Sequence, residues 1–472
     1  MLPVIKEKNN LPQPEQETAL PPDGKLKWIE PGNKIHFISL GCPRNLVDSE
    51  VMLGILLRAG YEATEVLAEA DYIVINTCGF LEASRNESSQ TIKMTLDERK
   101  ESAKLIVTGC MVQTHHPELK DRFPTVDYYL GSGDVEKILE AVRSTEKGMQ
   151  ITSARSYIEA GEVPRQLSTP KHFAYLKIAE GCRKKCSYCI IPNIKGPLKS
   201  KSKEQIKKEF ELLLNQGVQE IILIAQDLGD YGKDHGYKRA DGLVDLLKDL
   251  LKNENDYWIR LLYLYPDEIT DELIELMKND KRICRYVDIP IQHVNDRVLK
   301  KMRRTTSREQ ILSVIEKLRK EIPDIIIRTS LIVGFPGESE EEFKELGTFL
   351  EKYQLDNVGI FKYSREKGSH ADTLEDHHPE NVKNRRYHAL MKTQKKTLKK
   401  VLAKMVGKTV PVVVEGYHPE SKMLMVGRHY GQCPDIDGQV IINDGRKVDA
   451  FGKRYKVKIT GHTDYDLIGS VV

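Results

Sequence analysis

The sequence has no run approaching the roughly 18 consecutive apolar residues that a membrane span requires, so no transmembrane helix is expected. It has no strong excess of one charge: 73 Lys and Arg face 70 Asp and Glu, a net charge of +3, so any nucleic-acid footprint must be local. The first 26 residues are rich in proline and charge and have no apolar core of a secretory signal, while their acidic residues fit an organellar transit peptide poorly. Residues 1–33 are expected to be a disordered leader on a cytoplasmic protein. In that compartment thiols stay reduced, which turns the eight cysteines from disulfide partners into candidate metal ligands or catalysts.

The 472 residues suggest about three domains at roughly 150 residues each. From Lys34, short β-branched runs (34–40, 71–77 and 104–109) alternate with helical patterns such as 45–59, predicting an open α/β domain over 34–147. A linker is expected at 148–170. A second alternation, with strands at 173–179, 218–224, 257–263, 285–289, 324–333 and 356–362 and helices such as 203–215 and 308–321, predicts a partial (βα) barrel. It ends in a basic helix, giving a domain over 171–400. Four short alternating segments after 401, broken by Gly and Asp, predict a small antiparallel β-barrel over 401–472.

Cys182, Cys186 and Cys189, in "EGCRKKCSYC", follow the first barrel strand, at the face where barrel enzymes keep their chemistry. Three thiolates leave one iron of a cubane cluster open to another ligand. A structural zinc site would need a fourth Cys or His, and the nearest downstream histidine, His235, lies outside the usual spacing. The C-x3-C-x2-C spacing resembles the signature of the radical S-adenosylmethionine (SAM) enzymes. The resemblance implies that SAM chelates the open iron and that an electron from the cluster cleaves it to methionine and a 5′-deoxyadenosyl radical. "RTSLIVGFPGE" (328–338) is similar to that family's glycine-rich SAM-contacting segment, making Arg328, Gly334, Gly337 and Glu338 candidate SAM contacts. Gln226 and Asp227, at another strand end, are candidates for a ribose or a carboxamide-like edge.

Cys42, Cys78 and Cys110 are far apart in sequence, yet each sits just past a predicted parallel strand and beside or near a glycine. Carboxyl ends of neighbouring parallel strands share one sheet edge, so the three thiols are expected to converge there. Cys284 and Cys433 lack such a setting and read as buried structural thiols.

The three-domain layout resembles the methylthiotransferases from about Lys34 to Val472. That resemblance implies two [4Fe–4S] clusters, one on Cys182, Cys186 and Cys189 and an auxiliary one on Cys42, Cys78 and Cys110. It also implies two SAM molecules, one methylating a sulfur species and one generating the radical. "LGCPRNLVDSE" (40–50), Gln292-His293 and "GQCPDIDGQV" (431–440) resemble the branch that modifies the β-carbon of an aspartate in the twelfth small-subunit ribosomal protein. The branch acting on tRNA adenosine is the alternative, and a non-catalytic iron–sulfur RNA-binding protein is a second. Implied partners are the ribosomal protein, within the small subunit or free, and an electron-donor protein; no membrane partner is implied and a monomer is expected. The last domain resembles the RNA-binding TRAM domain, and residues 399–472 hold 12 Lys and Arg against 8 Asp and Glu, suiting RNA contact. Asp435, Asp437, Asp464 and Asp466 are candidates for gripping a basic protein substrate instead.

Overall fold

The computed structural model describes residues 33–152, 157–160 and 163–472; apart from Asn33, the expected leader lies outside the described residues. Two compact units make up the described residues, one of 33–79, 83–151 and 163–166 and the other of 80–82, 152, 157–160 and 167–472.

In the first unit the strands are β1 (Lys34–Ser39), β2 (Glu62–Ala63), β3 (Tyr72–Thr77), β4 (Lys104–Gly109), β5 (Tyr128–Gly131) and β6 (Gly148–Gln150). They form one parallel sheet in the order β2-β1-β3-β4-β5-β6. β3 and β4 are buried on both faces, which is why they read as continuous Ile and Val runs. Chain order reverses between β1 and β3, the place where such sheets open a ligand crevice. The sheet continues past 147, because Gly148–Gln150 pair with β5; the expected linker therefore starts later.

The second unit begins with β7 (Phe173–Lys177) and the short pair β8 (Ala179–Glu180) and β9 (Lys199–Ser200). β10 (Glu220–Ile224), β11 (Trp258–Leu261), β12 (Ile283–Asp288), β13 (Ile326–Val333) and β14 (Asn357–Lys362) follow. With β7 they make a six-stranded parallel sheet in consecutive order, the partial barrel expected. Helices Lys203–Asn215 and Arg308–Glu321 occupy the expected ranges, each started by a Ser capping box at Ser202 and Ser307. Their Ile206, Phe210, Ile311 and Ile315 join one core with Leu176, Ile221, Ile259 and Leu331 of the strands.

The helix Glu380–Ala403 leads to β15 (Thr409–His418), β16 (Ser421–His429), β17 (Val440–Asp444), β18 (Arg454–His462) and β19 (Leu467–Val471), a closed five-stranded barrel. Four of its pairings are antiparallel, and β17 with β19 is parallel, because the β18–β19 hairpin brings the chain back beside β17.

β15, the end of β16 and the β16–β17 connection bind the amino-terminal end of the partial barrel through buried charges. Glu220, the first residue of β10, accepts from Arg260 Nε at 2.6 Å and pairs with Arg428 Nη2 at 3.0 Å. Arg428 also bonds Glu415, which meets His172 Nε2 at 2.8 Å. Arg260 donates to the Tyr430 carbonyl, and Tyr286 Oη to Asp437. Cys284 and Cys433 are buried, as expected of structural thiols, and burial pushes Cys284 up to about 12.

Candidate functional site

In the first unit the strand register brings the thiols level. Ser39 pairs with Asn76 and Thr77 with Gly109, so Cys78 and Cys110 leave adjacent strands at the same height and Cys42 leaves β1 beside them. Two glycines show how close the segments run. A Cβ on Gly41 would lie 2.8 Å from Cys78 Cβ and 3.0 Å from its Sγ, and one on Gly79 would lie 2.7 Å from the Cys110 carbonyl carbon. Side chains of the "CPRNLVDSE" segment fasten this edge: Asn45 Nδ2 donates to the Leu40 carbonyl at 2.7 Å, and Asn76 Nδ2 donates to the Asn45 carbonyl and to Ser49 Oγ. Cys42 caps the helix Pro43–Arg58, and Cys110 opens the helix Cys110–Arg122. Burial opposes ionisation of the Cys42 thiol, but Arg44 and the N–H groups of Asn45 and Arg44 outweigh it and hold its pKa below the ordinary thiol value.

In the second unit the loop 181–190 follows β8. Gly181 has φ +78°, and a Cβ there would meet the Pro197 carbonyl oxygen at 2.0 Å, so the entry to the cysteine loop has no room for a side chain. Cys182 N–H donates to Gly196 O, Ser187 N–H to Met302 O, and Ala371 N–H to Ser187 O. Tyr188 packs against a cluster that holds Met302, Ile332 and Phe335, tying the loop to the region of the glycine-rich turn after β13. Burial, with Asp227 and Cys186, pushes Cys182 up to about 11.

Beside this loop lies a pocket of acids. Asp227, Asp230 and Glu268 are buried, with one oxygen of each within 4.8 Å of the others. Lys184 of the cysteine loop sits among them, 3.3 Å from Glu268 and 3.4 Å from Asp227, and Lys233 bonds Asp230 at 2.7 Å. Burial and Asp230 push Asp227 up to about 7, with Lys184 opposing. Buried oxygens of Gln226, Asp230 and Glu268 lack a hydrogen-bond partner among the described residues, as expected of groups waiting for a polar ligand.

The other expected SAM contacts divide. Gly334 and Gly337 adopt φ +72° and +70° in the turn at the carboxyl end of β13. Glu338 is held behind that turn: it accepts from Gly334 N–H at 2.7 Å and from Arg386 Nη1 at 2.5 Å. It also meets His293 Nε2 at 3.1 Å, and His293 Nδ1 accepts from Asn295 N–H, which places the ring proton on Nε2. The Gln292-His293 pair thus supports the glycine turn. Arg328, five residues before Val333, pairs with Asp288 at 2.7 Å and faces Asp437 at 3.7 Å, inside the barrel. Three of the four acids expected to grip a basic protein are engaged internally: Asp437 by Tyr286, Asp464 by Lys395 and Lys399, and Asp466 by Gln439 N–H; Asp435 is exposed.

Asp230, Glu268, Tyr265 and Arg304 were not singled out from sequence. "YLYPDE" (263–268) follows a barrel strand, and the strand-end rule that selected Gln226 and Asp227 applies to it equally.

Residues 34–131 match an uncharacterised protein family, UPF0004, residues 176–350 the Radical SAM superfamily and residues 406–472 the TRAM domain. Among curated proteins, the chain is 68% identical to the ribosomal protein uS12 methylthiotransferase RimO of Protochlamydia amoebophila, over 93% of both chains. The chain belongs to the RimO methylthiotransferase family. RimO of Chlamydia abortus is 60% identical over 93% of this chain and 95% of its own, and RimO of Geotalea uraniireducens 45% identical over 93% and 98%. As in the rest of that family, the present chain is a radical SAM enzyme. The radical SAM methyltransferase TsrM from Kitasatospora setae, solved with cobalamin and a [4Fe–4S] cluster bound, superposes with a TM-score of 0.53 at 14% identity. It covers 71% of this chain and 73% of its own, a likeness of fold. No helix among the described residues is long and apolar enough to cross a membrane.

Proposed function

We propose that this enzyme transfers a methylthio group to the β-carbon of an aspartate of ribosomal protein uS12, using two SAM molecules and two [4Fe–4S] clusters, one on each cysteine triplet. The observation that carries the reading is the pair of thiol triplets, each at the carboxyl edge of a parallel sheet, in a chain 68% identical to a uS12 methylthiotransferase. Each triplet offers three sulfurs and so leaves one iron of a cubane for an added ligand. A cluster on Cys182, Cys186 and Cys189 would supply the low-potential electron that no side chain can.

The chain's own residues bind and orient. Asp227, with Gln226 beside it, would present acceptors to N–H and hydroxyl groups of SAM, and Lys184 balances the negative charge of the acids around them. The Gly334–Gly337 turn lets backbone approach the ligand, with Glu338 fixing the turn and Arg328 bracing the wall below. Tyr188, Phe335 and Tyr363 form an apolar side that excludes water. The reaction needs an external electron source, assigned to a donor protein, and one chain carries both triplets, so a monomer suffices. RNA contact by the carboxyl-terminal barrel is supported by exposed Tyr417 and Phe451, edge to face at 5.2 Å, on a domain with surplus Lys and Arg.

Mass analysis of uS12 and of tRNA from cells with and without this gene tests the substrate. The expected result is a methylthio increment on uS12 that disappears with the gene; an unchanged uS12 with unmodified tRNA would transfer the assignment to tRNA adenosine. For the clusters, the reconstituted chain should bind about eight irons and Cys42→Ala about four. The variant should still form 5′-deoxyadenosine but no methylthiolated product.

A further inference from the structure

Cys186 is approached by two polar side chains, one from the segment after β11 and one from the turn after the helix Asp296–Lys301. Tyr265 Oη lies 2.9 Å from its Sγ, and Arg304 Nη1 lies 4.0 Å from the same sulfur. The two are locked together, because the Arg304 guanidinium stacks 3.8 Å from the centre of the Tyr265 ring while its Nη2 donates to the Pro290 carbonyl at 2.7 Å. Lys184 covers the ring at 4.5 Å. Both side chains are over nine-tenths buried, 9% and 8% exposed, so the pair is built into the barrel wall. Such burial of an arginine is costly unless its charge is met, and Arg304 Nε has no partner among the described residues. An aromatic face and a ligand-bearing sulfur are what its charge meets here.

We infer that Tyr265, clamped by Arg304, is a positioning residue that donates its hydroxyl hydrogen to the Cys186 thiolate and tunes the reduction potential of the cluster held there. The inference rests on the reading that Cys182, Cys186 and Cys189 bind a [4Fe–4S] cluster. Reduction adds an electron that is shared with the thiolate sulfurs, and a hydrogen bond to a sulfur stabilises the more negative state more strongly. The Tyr265 hydroxyl and the Arg304 charge therefore both shift the midpoint upward, toward easier reduction. The clamp removes rotational freedom from the phenol, so the donor is already aimed when the cluster is assembled.

The test is an electron paramagnetic resonance titration of the reconstituted full chain with SAM present, following the signal that responds to SAM. Tyr265→Phe keeps the ring and the Arg304 stack and removes only the donor. Its iron content and thermal midpoint should match the unsubstituted protein, while the ratio of reduced to oxidised cluster at a fixed potential falls up to tenfold, about 59 mV for a one-electron couple. Arg304→Lys keeps the charge but not the planar stack and should shift the midpoint in the same direction by less. A SAM-responsive signal whose midpoint in Tyr265→Phe is unchanged or more positive overturns the assignment. Should the unsubstituted protein bind iron yet show no SAM-responsive signal, the cluster reading itself fails and the assignment with it.

Discussion

Glu338 shows what a single buried charge does in this enzyme. It is fully buried, and its oxygens are shared among Gly334 N–H, Arg386 and His293. Arg386→Ala would leave that carboxylate without its cation, at a cost of about 3–5 kcal/mol. Arg385→Ala, one residue away and pairing with Glu340 at the surface, should change stability by less than about 1 kcal/mol. Denaturant unfolding of the two variants separates these outcomes, and equal midpoints would refute the structural role given to Glu338. At this scale the placement of the six cysteines just past strands was legible, because spacing and strand ends are local signals. Tyr265 and Glu268 carry the same strand-end signal in "YLYPDE", whereas Arg304 does not, because it follows the helix Asp296–Lys301 and only the fold brings it to the cysteine loop.

Among the elements, the carboxyl end of β16 ties stability to pH. Burial, then Arg260 and Arg428, push His429 down to about 3, and its Nδ1 accepts from Gly431 N–H, so the ring is neutral in the folded state. The unfolded chain takes up a proton there near the ordinary value of 6.5. Its penalty is therefore absent well above pH 6.5 and grows as pH falls from 6.5 toward 3. Glu220 adds to the loss at lower pH. Burial alone would raise its pKa, but Arg260 and Arg428 hold it at about 2, and its stabilisation is lost as pH falls from about 4.5 toward 2. The thermal midpoint should decline progressively below pH 6.5, and His429→Asn should flatten the upper part of that decline; an unchanged slope would exclude His429 as its source. The barrel strands were read to within about two residues because buried parallel strands are continuous apolar runs. β5, β6 and β19 were not read, being short and interrupted by Gly or Ser, and they are fixed by pairing with neighbours already in place.

Across the second unit, the carboxyl-terminal barrel supplies partners to charges of the partial barrel. Deleting 405–472 would strip Arg428 from Glu220, the Tyr430 carbonyl from Arg260 and Asp437 from Tyr286 and Arg328. Each buried polar group left without a partner costs on the order of 1–3 kcal/mol. The truncated chain should aggregate or unfold at a clearly lower temperature, and a truncation with the full-length midpoint would show that these contacts contribute little. The domain order was legible as three changes of hydrophobic period, whereas this interlock was not, since it joins residues such as Glu220 and Arg428 that are distant in sequence.

The same interlock bears on engineering. A chimera that takes its carboxyl-terminal barrel from a tRNA-modifying relative, spliced in the helix Glu380–Ala403, would place a foreign β16 and β16–β17 connection against Glu220, Arg260, Tyr286 and Arg328. A working graft has to carry those four residues with it, so the unit of exchange is the small barrel together with the charged strand residues it pairs with.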